Sequence, residues 1–390
     1  MNCSGRDLSG EPTLVEFDVS SRGAGSTGLI THVDALLDPA QAGDARVTPG
    51  FIDLQVNGFA GVDYNEPSIT HEEIARSLRV MFSTGVTRVF PTVITGDPDR
   101  MIGALRNLAA TRESLEDGLA MEAFHVEGPH ISPEDGPRGA HPQRWVRPPD
   151  LEEFRRWQDA AQGHVRLVTL SPEWPGAPLY IEALAREGVV TSIGHTRATR
   201  EQIQDAVAAG ATLSTHLGNG AHAVLPRHPN YIWEQLAEDR LAASFIVDGI
   251  HLGDSFFRVA LRAKGIERSV LVTDAVMPAL CAPGVYQLGE VEVELKDDQR
   301  VVLRGGTRLA GSSLRMDRAI GNAMRIAGLS LTEAVTMATI NPARVGRIAG
   351  RQRGLRPGER ADVVRFRMID GRMEVLETFL SGHKVFSASN

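Results

Sequence analysis

The sequence predicts an α/β protein, an eight-stranded β/α barrel of the TIM type with a small β domain beside it. Three observations carry this expectation. Eight short apolar runs recur between residues 51 and 274, each with the length and texture of a strand buried on both faces. Segments between them carry helix start and stop signals. The alternation extends over ~230–290 residues, the size and rhythm of a β/α barrel.

The runs are FIDLQV (51–56), TRVFPTV (87–93), EAFHVE (122–127), VRLVTL (165–170), VVTSIG (189–194), ATLSTH (211–216), AASFIV (242–247) and SVLVTD (269–274). Thr70-His71-Glu72-Glu73 reads as a capping box, followed by Ile74, Leu78 and Met81 at helical spacing and by Gly85. Thr199 to Gln202 opens a second helix that stops at Gly210, and Ser330 to Glu333 opens a third, closed off by Pro342. A doubly wound open sheet is the competing architecture. It would show fewer strands and, in a dinucleotide binder, a glycine fingerprint after the first, but that run leads into Gln55-Val56-Asn57-Gly58.

Residues 283–309 alternate like a hairpin (VEVELKDDQRVVL) and read as a β insertion after strand eight. Short β-like pieces occur at Leu14–Phe17 and Gly28–Val33, and again in GLRPGERADVVRF and VLETFLSGHKVF near the C-terminus. The expected organisation is a discontinuous β domain of residues 1–48 and 344–390, a β-sandwich built from both chain ends, around a barrel of residues 49–343.

The 390 residues suffice for one large domain and a smaller one. With 42% hydrophobic and 23% charged residues the composition is that of a globular enzyme. A net charge of -8 argues against nucleic acid as a partner. No apolar run reaches the ~18 residues of a membrane span, and MNCSGRDLSG lacks the basic and apolar stretches of a secretory signal. Cys3 and Cys281 are too few for a disulfide framework or a thiolate metal site and fit a reducing cytoplasm.

Polar residues fall where a barrel places its chemistry, at the C-terminal ends of the strands. Gln55 and Asn57 follow strand one, Glu127 ends strand three, His195 follows strand five and His216 ends strand six. Asp248 and His251 follow strand seven, and Asp274 ends strand eight. A single strand-end histidine is usually a hydrogen-bonded structural residue, but a set of four His or carboxylate groups after apolar runs is not expected by chance. Glu127, His195 and His216 form a suitable ligand set for one catalytic divalent ion, Zn²⁺ first and Fe²⁺ second. Such an ion lowers the pKa of a bound water towards ~7. A buried Asp274 beside it is suited to accept the water's proton and pass it to a leaving amine. His125 shares a strand face with Glu127. His130, His141, His222 and His228 lie in loops, where histidines are more often solvated or structural than functional.

PGFIDLQVNG (49–58), HVEGPHI (125–131), GAHP (139–142), IGHT (193–196), STHLGN (214–219), VDGIH (247–251), LVTDA (271–275) and LAGSSLRM (309–316) occur in that order. With them, from about Pro49 to the C-terminus, the chain resembles the N-acetylglucosamine-6-phosphate deacetylases of the amidohydrolase superfamily. NPAR (341–344) and GLRPGERADVV (354–364) are similar to the usual ending of such hydrolases. The resemblance implies Glu127, His195 and His216 as metal ligands and Asp274 as general base, then acid. It implies that His141 polarises the acetyl carbonyl and that His251 contacts the sugar. Asn219, the backbone of Gly220 and Arg227 would hold the 6-phosphate, with Arg227 supplied by a neighbouring subunit, hence a homodimer. Many amidohydrolases carry His-x-His on strand one for a second metal. Gln55 and Asn57 stand there in this chain, which implies a mononuclear centre. The chain departs from the family at Gly218–His222 and at His228, where an aromatic residue with Asn-Ala-Met and an acidic residue are usual.

The function so implied is hydrolysis of the acetamide of an N-acetylated amino-sugar phosphate. The same residues admit two rival readings. One is another hydrolase on the same centre: an N-acyl amino acid deacylase, a cyclic amidase or a deacetylase of a different, unphosphorylated sugar. The other is a catalytically silent binding protein.

Overall fold

The computed structural model describes residues 1–19 and 28–389. Eight parallel strands form one sheet in sequential order: Phe51–Val56, Val86–Ile94, Phe124–Glu127, Val165–Leu170, Val190–Ile193, Ala211–Ser214, Ala242–Phe245 and Ser269–Leu271. The sheet closes on itself beyond the last strand. Asp274 N donates to Gln55 O (2.9 Å) and Asn57 N to Ala275 O (2.8 Å), and Val56 and Ala275 form a parallel bridge. The eight expected strands therefore exist and form the expected barrel.

Several strands are shorter than their apolar runs. Strand six stops at Ser214, strand seven at Phe245 and strand eight at Leu271, so His216 and Asp274 do not end strands but lie on the turns after them. Apolarity marks burial, and the chain stays buried for two or three residues after the hydrogen-bond ladder has ended.

The three capping boxes are present, at Thr70, Thr199 and Ser330, before helices His71–Phe82, Arg200–Ala209 and Leu331–Thr336. Each satisfies two backbone N–H groups that would otherwise lack partners. Pro342 does not close the third helix. That helix ends at Thr336, and Pro342 sits in the first turn of the next, Ile340–Val345, where a missing N–H costs nothing.

Both chain ends enter one seven-stranded sheet. It takes Asn2–Arg6, Pro12–Phe17, Ile30–Ala35 and Arg46–Pro49 from the N-terminal side and Val363–Ile369, Arg372–Leu380 and His383–Ser387 from the C-terminal side. Val15, Phe17, Ile30, Val47, Val363 and Phe379 form its own core. Residues 20–27 of the expected 1–48 segment lie outside the described residues. The β insertion is a three-stranded antiparallel sheet, Gly284–Leu288, Val291–Leu295 and Val301–Leu303, with a small core around Leu288, Val293 and Leu295. Among the described residues no helix is long and apolar enough to cross a membrane.

Candidate active site

A cavity of about 180 Å³ opens at the C-terminal ends of the barrel strands. Its wall includes Glu127, His141, His195, His216, Asn219, Gly220, His251 and Asp274. Eight of the nine site residues expected from sequence therefore meet in one place, although they come from six different loops or strand ends. Arg227 does not. It is exposed and lines a separate shallow pocket with His228 and Trp233.

Three potential ligand atoms converge at the centre. Glu127 Oε1 is 2.9 Å from His216 Nε2 and 3.4 Å from His195 Nε2, and the two imidazole nitrogens are 3.1 Å apart. His195 Nδ1 donates to Pro137 O at 2.8 Å, which fixes the ring with its Nε2 facing the centre. Lone pairs of a carboxylate and two imidazoles repel unless a cation or proton lies among them. A tetrahedral Zn²⁺ with bonds of ~2.0–2.2 Å holds its ligands roughly 3.3–3.6 Å apart; the Glu127–His195 separation lies in that range and the other two are shorter, so the donor set fits a divalent ion once the His216 ring moves slightly outward. Glu127, His141 and His195 also bring ligand-capable atoms within 4.8 Å of one another. The set with His216 is the tighter one.

Backbone geometry puts these groups there. His195, His216 and Asp274 all have positive φ, 47°, 29° and 50°, a conformation that L residues rarely adopt. Each chain turn after its strand thereby aims a side chain into the barrel mouth. Gly220 and Gly139 pack on the His195 ring. A Cβ at Gly220 would lie 2.7 Å from Nδ1 and one at Gly139 would lie 3.1 Å from Cε1.

Asp274 lies beside this centre. Burial and then the Glu127 charge push its carboxyl up to about 6, while His216 and the Asn57 hydrogen bond oppose the rise. Asn57 Nδ2 donates to Asp274 Oδ1 at 2.7 Å, and Gln55 Nε2 donates to Glu127 Oε1 at 3.0 Å and to Asp274 Oδ1 at 3.2 Å. The strand-one amides thus present N–H donors to the two carboxylates, as a cation would present positive charge. Asp53, behind them, accepts from the Thr273 hydroxyl at 2.6 Å and its backbone N–H at 3.2 Å.

Burial opposes ionisation of Glu127, yet the His195 and His216 hydrogen bonds outweigh it and hold the carboxyl well below its ordinary range. His141 is pushed down to about 3 by burial, then by His195, so it is neutral at pH 7. Its Nδ1 is 2.8 Å from Thr95 Oγ1. His251 Nδ1 is 2.6 Å from Asp248 Oδ2, and Asp248 Oδ1 accepts the backbone N–H groups of Ile250 and His251. His125 is satisfied inside the barrel by Thr169, at 2.7 Å. His130 packs tilted against Trp157 and edge-on to Tyr180. His222 bonds Tyr231 and Glu134.

Sequence reasoning missed Thr95, Asn65 and Arg100, which also line the cavity. Thr95 and Asn65 carry a signal that could have found them. Thr95 directly follows strand two, and Asn65 lies in the loop after strand one, so the strand-end rule applies to both. Arg100 sits on a helix and is paired with Glu66 at 2.5 Å. Nothing in the sequence marks it.

A barrel with a carboxylate, two imidazoles and a second buried carboxyl at its strand ends has the make-up of a metal-dependent hydrolase. The family model described as amidohydrolase family matches residues 46–385. N-acetylglucosamine-6-phosphate deacetylase of Bacillus subtilis is 32% identical over 88% of this chain and 85% of its own. N-acetylgalactosamine-6-phosphate deacetylase of Escherichia coli O157:H7 is 30% identical over 91% and 92%. The structure of a mutant N-acetyl-D-glucosamine-6-phosphate deacetylase from Mycobacterium smegmatis, in complex with N-acetyl-D-glucosamine-6-phosphate, superposes with a TM-score of 0.86. It is 30% identical and covers 96% of this chain and 95% of that one. The chain belongs to the amidohydrolase family and, within it, to the N-acetylglucosamine-6-phosphate deacetylases.

Proposed function

We propose that this protein hydrolyses the acetamide of an N-acetylated amino-sugar 6-phosphate, N-acetylglucosamine 6-phosphate first, to the free amine and acetate. The observation that carries the reading is the convergence of Glu127, His195 and His216 beside Asp274 in one buried cavity. Glu127, His195 and His216 would hold one divalent ion, Zn²⁺ or alternatively Fe²⁺. When bound it supplies Lewis acidity and a water of lowered pKa. The Gln55 and Asn57 amides occupy the strand-one position of a second ion's ligands, which supports a mononuclear centre.

Asp274 takes a proton from the attacking water and returns it to the nitrogen as the C–N bond breaks. Its carboxyl, raised by burial, suits both directions of transfer. His141 is neutral and, with the Thr95 hydroxyl donating to Nδ1, presents Nε2–H to the developing oxyanion. His251, held by Asp248, contacts the sugar. Asn219 and the backbone of Gly220 face the 6-phosphate, and Arg227 of a second copy completes that pocket in a homodimer. Residence in the cytoplasm goes with this reading.

The decisive experiment is acetate release over phosphorylated and unphosphorylated N-acetylglucosamine and N-acetylgalactosamine, with metal content measured on the same sample. Asp274→Asn should retain one equivalent of metal and lose ~10²–10⁴-fold in kcat. Near-normal turnover overturns the assignment. Arg227→Ala should raise KM for the phosphorylated sugar at least tenfold. An unchanged KM returns the substrate to the wider class of acylated amines.

A further inference from the structure

A second recess, of about 790 Å³, lies between the helix Met316–Ala327, the turn at Asp370–Arg372 and the insertion tip at Asp298 and Gln299. It shares no lining residue with the active cavity. Asp248 stands between the two. It lines this recess while its carboxylate holds His251 of the other.

The wall carries four arginines, Arg315, Arg318, Arg325 and Arg372, and four aspartates, Asp248, Asp298, Asp317 and Asp370. Arg315 pairs with Asp317, Asp298 with Arg300 and Asp248 with His251. Arg318, Arg325 and Arg372 also line the recess, and among the described residues they have no hydrogen-bond or ion-pair partner. The one carboxylate there in the same state is Asp370. Arg318 and Arg325 are two turns apart on one helix face, and Gly321 lies between them. A Cβ at Gly321 would stand 3.2 Å from Gly371 O, so the helix and the turn that carries Arg372 meet between the two arginines. The three arginines are exposed at the rim of the recess, within reach of a ligand that enters it, and they stand on a chain of net charge -8.

We propose that this recess binds a phosphate monoester carrying hydroxyl groups, at a site separate from the active cavity. Guanidinium forks match phosphate oxygens two at a time. Asp370 is placed to accept from a hydroxyl, and the volume is that of a small-molecule pocket, ~300–1,000 Å³.

The test is calorimetric titration of the full chain with glucose 6-phosphate and, separately, with inorganic phosphate. The wild-type protein should bind one equivalent of glucose 6-phosphate more than the Arg318→Ala/Arg325→Ala double variant does, and Arg372→Ala should weaken that extra equivalent at least tenfold. Equal stoichiometry in wild type and double variant overturns the proposal. An extra equivalent seen with inorganic phosphate but not with glucose 6-phosphate overturns the monoester assignment. Acetate release from N-acetylglucosamine 6-phosphate should be unchanged in the double variant. That activity reports on the proposed deacetylation independently of the second site, so either reading can fail without the other.

Discussion

His195, His216 and Asp274 are the residues on which the proposed chemistry turns, and all three are held in left-handed backbone. Such positions cost ~1–3 kcal/mol each and persist where surrounding contacts over-determine them. Gly220 is one of those contacts. Gly220→Ala should displace the His195 ring, given the 2.7 Å approach. The expected outcome is loss of bound metal and of activity together, measured by elemental analysis and acetate release. Asn57 is another. Its N–H donates to Asp274 and favours the ionised carboxylate, so Asn57→Ala should raise the Asp274 pKa further. A base must be deprotonated to act. The acid limb of kcat/KM, which falls as pH drops, should therefore move to higher pH in the variant. An unmoved limb would separate Asp274 from the titration. These roles were legible to different degrees. The identity of the polar set followed from residue type and from position after apolar runs. The amide bridge from Gln55 to both carboxylates did not, because side-chain hydrogen bonds between strands one, three and eight leave no local pattern.

At the level of elements, local chemistry was read well where the signal was a side chain acting on its own neighbours. The Thr70, Thr199 and Ser330 caps act within four residues, and all three are formed. Thr199→Ala should destabilise the fold by ~1 kcal/mol, visible as a lower urea midpoint at unchanged slope. Strand ends were read less well. In strands six and eight the apolar run outlasts the ladder, so His216 and Asp274 moved from strand to turn. Pro342 differs for a similar reason: a proline marks a helix start as readily as a stop, and only the hydrogen bonds decide between them. The β insertion was legible as a hairpin. That its turn at Leu288–Val291 reaches the wall of the cavity was not.

For the whole molecule, one ion cluster joins the barrel to the sheet made by the chain ends. Asp362, fully buried, accepts from Arg360 at 2.9 Å and from Arg88 of the second barrel strand at 2.9 Å, while Arg351 donates to its carbonyl at 2.9 Å. Burial opposes the charge, but Arg360, Arg88 and Arg351 outweigh it and hold the carboxyl well below the usual range. A depressed carboxyl contributes stability that is present above its unfolded pKa of ~3.9 and is lost as pH falls through its folded value. Acid unfolding should therefore steepen below about pH 4. Asp362→Asn should cost ~3–5 kcal/mol at pH 7, because three guanidiniums lose their buried partner, and should flatten that acid dependence. Urea denaturation across pH checks both.

The sequence by itself determined the barrel, the small sheet drawn from both ends, and the polar residues assigned to the chemistry. Each of these is set by short-range pattern: burial period, caps, and residue type after a strand. Only the tertiary structure decided how those residues touch. Barrel closure joins Gln55 and Asn57 to Asp274 across more than two hundred residues of chain. The packing of loops and of the terminal sheet leaves Arg227 outside the cavity and puts Arg318, Arg325 and Arg372 on the wall of a second recess. The physical reason is that a strand's pattern specifies which face is buried, whereas the distance between side chains on different elements depends on registry, on barrel tilt and on the turns that follow each strand.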